Sequence, residues 1–482
     1  MRALRTKVLM AVATAAVATG GLVVPLAGPA AAAPAAKDAA DFNGDGYGDV
    51  VLATPDATVN GVKKAGHVAV LYGSADGVAG GRKQLLSQAS AKVPGAPEER
   101  DGFGAAYDTG DLDGDGYADL VVGVPGENDQ RGLITVLWGG RGGLVHGGLS
   151  MAPLRTDDVH YGGSVVVGDF DGDGRQHVAT HSYWGAVSLS GDGFTRTRAP
   201  KQQRLNLHGD DAFRLVERLE AGDYDGDGDD DLLASGIANA EGDFLDGWVG
   251  YWKGGRTGVT FTRPPAALPA TRTGLDGSGD VNKDGYEDVV ITDKAAAKGG
   301  AVGVYYGGKR GPGSGGSTVL DQDSPGVPDE GEDGDAFGAS ASVGDVDGDG
   351  YADVAVGAPA EGVDGRTATG AVHLLKGSAA GLTATGAQVV DQGTPGVPGA
   401  AEDDDRFGSA VQVRDTDGDG RAEVVVAASG EDVFPGARWN DGSAWVLRGT
   451  KGGIGTAGAY ALSERAFGLT YQNKRFGSVL GR

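Results

Sequence analysis

The 482-residue chain has no cysteine, three methionines, and only 41 lysines and arginines against 67 aspartates and glutamates. Without cysteine there is no disulfide framework, no thiolate nucleophile and no thiolate metal site. A net charge of −26 leaves no basic footprint for a phosphate backbone, which excludes nucleic acid as a partner. Long apolar runs are scarce as well. One spans Val8 to about Leu26, after Arg2, Arg5 and Lys7 and before AGPAAAA, so residues 1–33 read as a secretory signal. Gly20, Gly21, Pro25 and the alanine-rich exit favour cleavage over a retained anchor. No second run follows, so the mature chain, expected as one domain over 34–482, has no membrane span and is secreted. Nucleophile-elbow, phosphate-cradling and HExxH patterns are absent too.

Glycine, by contrast, is abundant at 90 residues, with no Gly-X-Y period, so it marks turns. The most specific stretch is DVDGDGYAD at 345–353, which places Asp345, Asp347, Asp349 and Asp353 at alternating positions, with Gly348 and Gly350 where a loop must fold back on an ion. Closely spaced hard oxygens suit Ca²⁺, and the main-chain carbonyl of Tyr351 at the seventh position adds another. An EF-hand is excluded: its twelfth position needs a bidentate Glu, whereas Val356 stands here, inside a β-branched run that opens a strand.

Six further copies recur. The first uses Asp41, Asn43, Asp45, Tyr47 and Asp49; the second Asp111, Asp113, Asp115, Tyr117 and Asp119. The third has Asp169, Asp171 and Asp173, but His177 replaces the terminal carboxylate, and imidazole is a poor ligand for a hard ion. The fourth offers Asp223, Asp225, Asp227, Asp229 and Asp231; the fifth Asp280, Asn282, Asp284, Tyr286 and Asp288; the seventh Asp415, Asp417, Asp419, Arg421 and Glu423. Three or four carboxylates this close repel one another without a cation, so up to seven structural Ca²⁺ are expected. Extracellular calcium, at roughly millimolar, suits such sites and suits a secreted chain lacking disulfides.

The loops start 70, 58, 54, 57, 65 and 70 residues apart, a period that signals a propeller or an array. Eight residues before Asp111, Asp345 and Asp415 stand Phe103-Gly104, Phe337-Gly338 and Phe407-Gly408, with Tyr161-Gly162 holding that place before Asp169. After each loop come two apolar strands, a Gly-rich turn and, in most units, an outer strand such as Gln84-Leu85-Leu86. Four-stranded units repeated radially make a β-propeller. The first loop lacks a Phe-Gly strand, while the chain ends on a surplus one, Phe476 to Leu480, in matching register. That strand is expected to complete the first blade and close the ring.

Phe-Gly, then DxDGDGxxD, then an apolar strand into Gly-x-Pro (Gly123-Val124-Pro125, Gly357-Ala358-Pro359) resembles the FG-GAP repeat of the seven-bladed propeller of integrin α chains, known also from secreted bacterial proteins. The resemblance covers essentially 41–482, strongly in units 2, 6 and 7 and weakly in units 3, 4 and 5; in units 4 and 5 the Phe-Gly is missing. It implies an all-β, seven-bladed fold with calcium on the face away from ligand. The opposite face carries Trp184, Phe244, Phe434 and Trp439, and the acidic runs Glu98–Asp101, Asp329–Asp335 and Glu402–Asp405, reasonable recognition groups on long connections. The leading expectation is a monomeric, non-catalytic binding or adhesion module for an extracellular protein or glycan. The alternative is an extracellular hydrolase or lyase acting on phospholipid or polysaccharide, with a carboxylate pair on that face.

Overall fold

The computed structural model describes residues 40–78, 81–144, 147–183, 186–205, 207, 213–239, 246–262, 268–269, 274–296, 298–433, 440–469 and 475–481. The expected signal, 1–33, and Trp184, Phe244, Phe434 and Trp439 lie outside the described residues.

Seven antiparallel sheets of four strands succeed one another along the chain as the blades of a propeller. Blade 2 shows the pattern: Ala106–Gly110 innermost, then Asp119–Val124, Leu133–Leu137 and the outer Gly148–Met151. Blade 1 takes its innermost strand from the other end of the chain, Val479–Leu480, which pairs with Leu52 and Ala53. The ring therefore closes as the sequence pattern predicts.

The second strands of blades 1, 2, 6 and 7 are buried along their whole length on both faces and are accordingly rich in apolar residues, whereas that of blade 3, His177–Ser182, is as buried but mostly polar. In Val50–Thr54, Val51 and Ala53 pack toward blade 2, while Val50 and Leu52 pack toward Val425, Ala444 and Val446 of blade 7. Alternation along a strand thus serves two neighbours, and the hydrophobic core is divided into seven clusters, one at each blade junction.

At five junctions a Phe-Gly or Tyr-Gly pair latches a blade to the one before it. The Phe103 N–H donates to Ala65 O at 2.9 Å, and the same bond recurs from Tyr161 to Arg131, Phe337 to Gly299, Phe407 to Thr369 and Phe476 to Asp441. Close approach makes glycine obligatory at the receiving end. A Cβ on Gly370, whose φ is +83°, would sit 2.1 Å from Phe407 O, and one on Gly442 2.4 Å from Phe476 N. All five aromatic rings are fully buried. Blade 4 lacks the pair; its inner strand is a bulged ten-residue Phe213–Gly222.

Candidate metal centres

Six of the Asp loops join the innermost to the second strand of their blade, and loop 1 leads into the second strand of blade 1, so all lie on one rim of the ring. In loop 6 the Asp345 carboxylate accepts the N–H groups of Gly348 (2.7 Å) and Gly350 (2.8 Å), both glycines at positive φ, curling the main chain around the side chains. The first-position aspartates of loops 1, 4 and 7 do the same. Loop 5 breaks the rule locally, with Lys283 rather than glycine at the fourth position and φ +58°.

The ninth-position carboxylates are buried staples. Asp353 accepts the N–H of Val346 at 3.2 Å on one oxygen and that of Gly377, beyond the third strand, at 3.0 Å on the other. Asp49, Asp119 and Asp288 repeat both bonds, Asp231 accepts from Gly254, and Glu423 accepts from Thr416. Burial is the main cause that pushes Asp49 and Asp119 up to about 8, Asp231 and Asp288 to about 7 and Asp353 to about 6.

The loops also touch one another. The eighth-position N–H donates to the first-position carbonyl of the preceding loop: Ala118 to Asp41, Asp230 to Asp169, Glu287 to Asp223, Ala352 to Asp280, Ala422 to Asp345, and Gly48 to Asp415 across the closure. Seventh-position side chains lie over the fourth position of the neighbour, so Tyr117 covers Gly44, Tyr286 covers Gly226 and Tyr47 covers Gly418. At Lys283 the contact becomes an ammonium 5.5 Å from the Tyr351 ring centroid. These tyrosines are packing groups.

Two observations show that the donor set fits a hard divalent cation. Oxygens of Asp111, Asp113 and Asp115 lie within 4.8 Å of one another, as do those of Asp223, Asp225 and Asp227. One oxygen each of Asp113 and Asp225, the third-position residues, is buried with no hydrogen-bond partner. Such orphaned carboxylate oxygens are costly unless something positive reaches them. Loop 3 differs: His177 Nε2 sits 2.8 Å from Asp192 and 4.0 Å from Asp171, so a ring nitrogen occupies the place of the terminal carboxylate.

Sequence reasoning passed over one feature of these loops. The residue before the glycine that ends the third strand is Tyr72, Trp138 and Tyr306 in blades 1, 2 and 5, but Lys253, Lys376 and Arg448 in blades 4, 6 and 7. Lys376 Nζ lies 2.8 Å from Asp347 and 3.1 Å from Asp353; Arg448 reaches Asp417 at 3.0 Å; Lys253 is bonded to Asp225 and Asp227. Loop 2 receives Arg196 from blade 3, 2.9 Å from Asp113. Loops 2, 4, 6 and 7 thus carry a cation of the chain's own.

At the opposite rim, across blades 3 to 6, a cleft of about 430 Å³ is lined by Tyr183, Glu217, Arg218, Asp276, Thr292 and Lys294 among others. Both charge signs face it, and Tyr183 is exposed.

Comparison with known proteins agrees with this architecture. The FG-GAP repeat family model matches residues 38–71, 95–137, 337–375 and 407–447. Integrin alpha pat-2 of Caenorhabditis briggsae is 30% identical over 277 residues, 54% of this chain and 18% of that protein. Phosphatidylinositol-glycan-specific phospholipase D of Rattus norvegicus is 30% identical over 149 residues, 30% of this chain and 17% of that protein. The chain thus spans under a fifth of the length of either relative. A solved structure of the Dos1 propeller superposes with a TM-score of 0.43 at 10% identity, covering 79% of this chain and 78% of that one, a likeness too loose to carry weight.

Proposed function

Because the chain is an integrin-α-like propeller of FG-GAP repeats, we propose that it works as a secreted, calcium-stabilised binding or adhesion module, without catalysis, for an extracellular protein or glycan. Ca²⁺ in the Asp loops would lock one rim: Asp, Asn and Glu oxygens at the first, third, fifth and ninth positions and the seventh main-chain carbonyl are the ligands in this reading. The ion's part is structural, neutralising clustered carboxylates that otherwise repel.

The observation that carries the binding reading is the cleft at the opposite rim, where Arg218 and Lys294 face Glu217 and Asp276 beside the exposed Tyr183. Mixed charge next to an aromatic is suited to a polar macromolecular ligand. The hydrolase alternative, to which the phospholipase relative's name points, needs two free carboxylates. Glu217 and Asp276 are the pair available, and Asp276 is engaged by the Thr292 hydroxyl.

Arrays of glycans and extracellular proteins test this directly. Saturable binding that is lost in Arg218→Ala/Lys294→Ala, with an unchanged melting curve and no product formed, is the expected result. Consumption of a phospholipid or polysaccharide that stops in Asp276→Asn would replace the binding reading with the enzymatic one.

A further inference from the structure

The acidic runs that precede Phe103, Phe337 and Phe407 do not simply face solvent. At three blade junctions they lie beside a buried amide that bonds to a glutamate of the next blade. Gln88 Nε2 donates to Glu127 at 2.5 Å, Gln322 to Glu361 at 2.7 Å and Gln392 to Glu431 at 2.7 Å, and donor and acceptor are 39 residues apart each time. Nearby, Asp101, Asp335 and Asp405 accept the N–H of the glutamate three residues earlier, Glu98, Glu332 and Glu402. The glutamines are 5, 1 and 3% exposed and the aspartates 1, 5 and 2%. At the junction of blades 5 and 6 oxygens of Glu332, Asp335 and Glu361 lie within 4.8 Å of one another.

Acidic clusters on surfaces are common, and two facts set these apart. Among the described residues no lysine, arginine or histidine is ion-paired with any of these carboxylates. And in all three the Oε1 of the glutamine is buried with no hydrogen-bond partner, although the same amide's nitrogen is bonded into the cluster. An unmatched carbonyl oxygen in a dry site costs about 1–3 kcal/mol, and here it recurs in register three times beside uncompensated carboxylates. Burial accordingly pushes Glu361 and Asp405 up to about 7.

We propose that these three junctions are a second class of divalent-cation site, in which the glutamine Oε1 and the carboxylates of two glutamates and an aspartate hold a hard, oxygen-preferring ion such as Ca²⁺. Each site joins the outgoing connection of one blade, which supplies the glutamine and the aspartate, to the far end of the next blade's second strand, which supplies the second glutamate. The strands concerned, such as Asp119–Val124, separate these sites from the Asp loops by roughly 20 Å, so the two classes of ion clamp opposite rims. The junction of blades 2 and 3 shows the same need met otherwise. There Asp158, three residues before Tyr161, accepts the N–H of Arg155 and pairs with Arg204 at 3.2 Å: a fixed cation stands where the other junctions have none.

The test is a count of bound Ca²⁺ by equilibrium dialysis at neutral pH, comparing the wild-type chain with Glu127→Gln/Glu361→Gln/Glu431→Gln. The introduced glutamines still accept the buried amide N–H, so the junctions keep their shape. About three fewer ions per chain are expected. An unchanged count, with the carboxylates merely protonated near neutral pH, overturns the proposal. A second measurement covers misfolding of the variant: crystals of the wild-type chain soaked with Tb³⁺ should give anomalous density at Gln322 and Glu361. Density confined to the Asp loops overturns the proposal and leaves the loop reading standing, whereas density at the junctions alone does the reverse.

Discussion

The two rims of the ring are built on different rules. On the Asp-loop rim every blade contributes a loop, and six of the seven loop-to-loop contacts are the same main-chain hydrogen bond. On the other rim the Phe-Gly or Tyr-Gly latch joins blade 1 to 2, 2 to 3, 5 to 6, 6 to 7 and 7 to 1, and no such bond is described from blade 3 to 4 or 4 to 5. The mixed-charge cleft spans the unlatched arc and is bounded by the latches on either side of it, at Gly163 and Gly338. A closed ring can give up inter-blade bonds on one rim only where the other is continuous, and the Asp-loop bonds do run unbroken across blades 3, 4 and 5.

Breaking the common rim should have the largest effect. If seven ions each contribute on the order of 2–3 kcal/mol at saturation, EDTA should lower Tm by roughly 10–20 °C for a domain of this size. Differential scanning fluorimetry with and without Ca²⁺ measures it, and an unmoved transition would sink the calcium reading of the loops. Next comes the latch at the closure. Phe476 is fully buried and its N–H is bonded to Asp441. Phe476→Ala should cost about 3–5 kcal/mol in denaturant unfolding, while the ion count stays unchanged.

A smaller effect sharpens the same junction. His67 lies edge-on to Phe476, ring centroids 6.3 Å apart, and neither ring nitrogen has a hydrogen-bond partner. Burial lowers it from 6.5 to about 4. The folded state therefore binds the proton less well than the unfolded state, so its contribution is full above pH 6.5 and is lost as pH falls toward 4. His67→Leu, which removes the titrating group, should match the wild-type chain near pH 7 and exceed it by about 2–3 kcal/mol near pH 4. Parallel pH profiles of the two proteins would show that burial of the ring is not the cause.

The Asp loops were legible in the sequence because their carboxylates are local, spaced by two with glycine between. Ring closure was legible because an unmatched strand at one end fitted an unmatched loop at the other. The latch was half legible: Phe-Gly stood out, but its partner, Gly66 or Gly370, lies in a preceding blade and announces itself only through a close approach. The glutamine clusters were hidden in the same way, since Gln322 and Glu361 meet across a 39-residue separation that no local window spans. The acidic runs were seen but assigned to a recognition surface, whereas Asp101, Asp335 and Asp405 are buried.

Lys376 separates the loops among themselves. Its ammonium, largely buried, occupies the space between Asp347 and Asp353, where a Ca²⁺ ion would collect the same oxygens. Two positive species compete for one carboxylate set, so the tethered one lowers the affinity for the free one while supporting the fold in its absence. Lys376→Met keeps the length and apolar packing of the side chain and removes the charge. Loop 6 should then bind Ca²⁺ about tenfold more tightly, a gain of about 1.4 kcal/mol, and the chain should be less stable than wild type in EDTA. Loops 1 and 5, where Tyr72 and Tyr306 stand at the equivalent position, should show no change in the same titration calorimetry. If affinity at loop 6 falls on removal of Lys376, the lysine is an outer partner that orients the ligands, and loops with and without a tethered cation belong to one class.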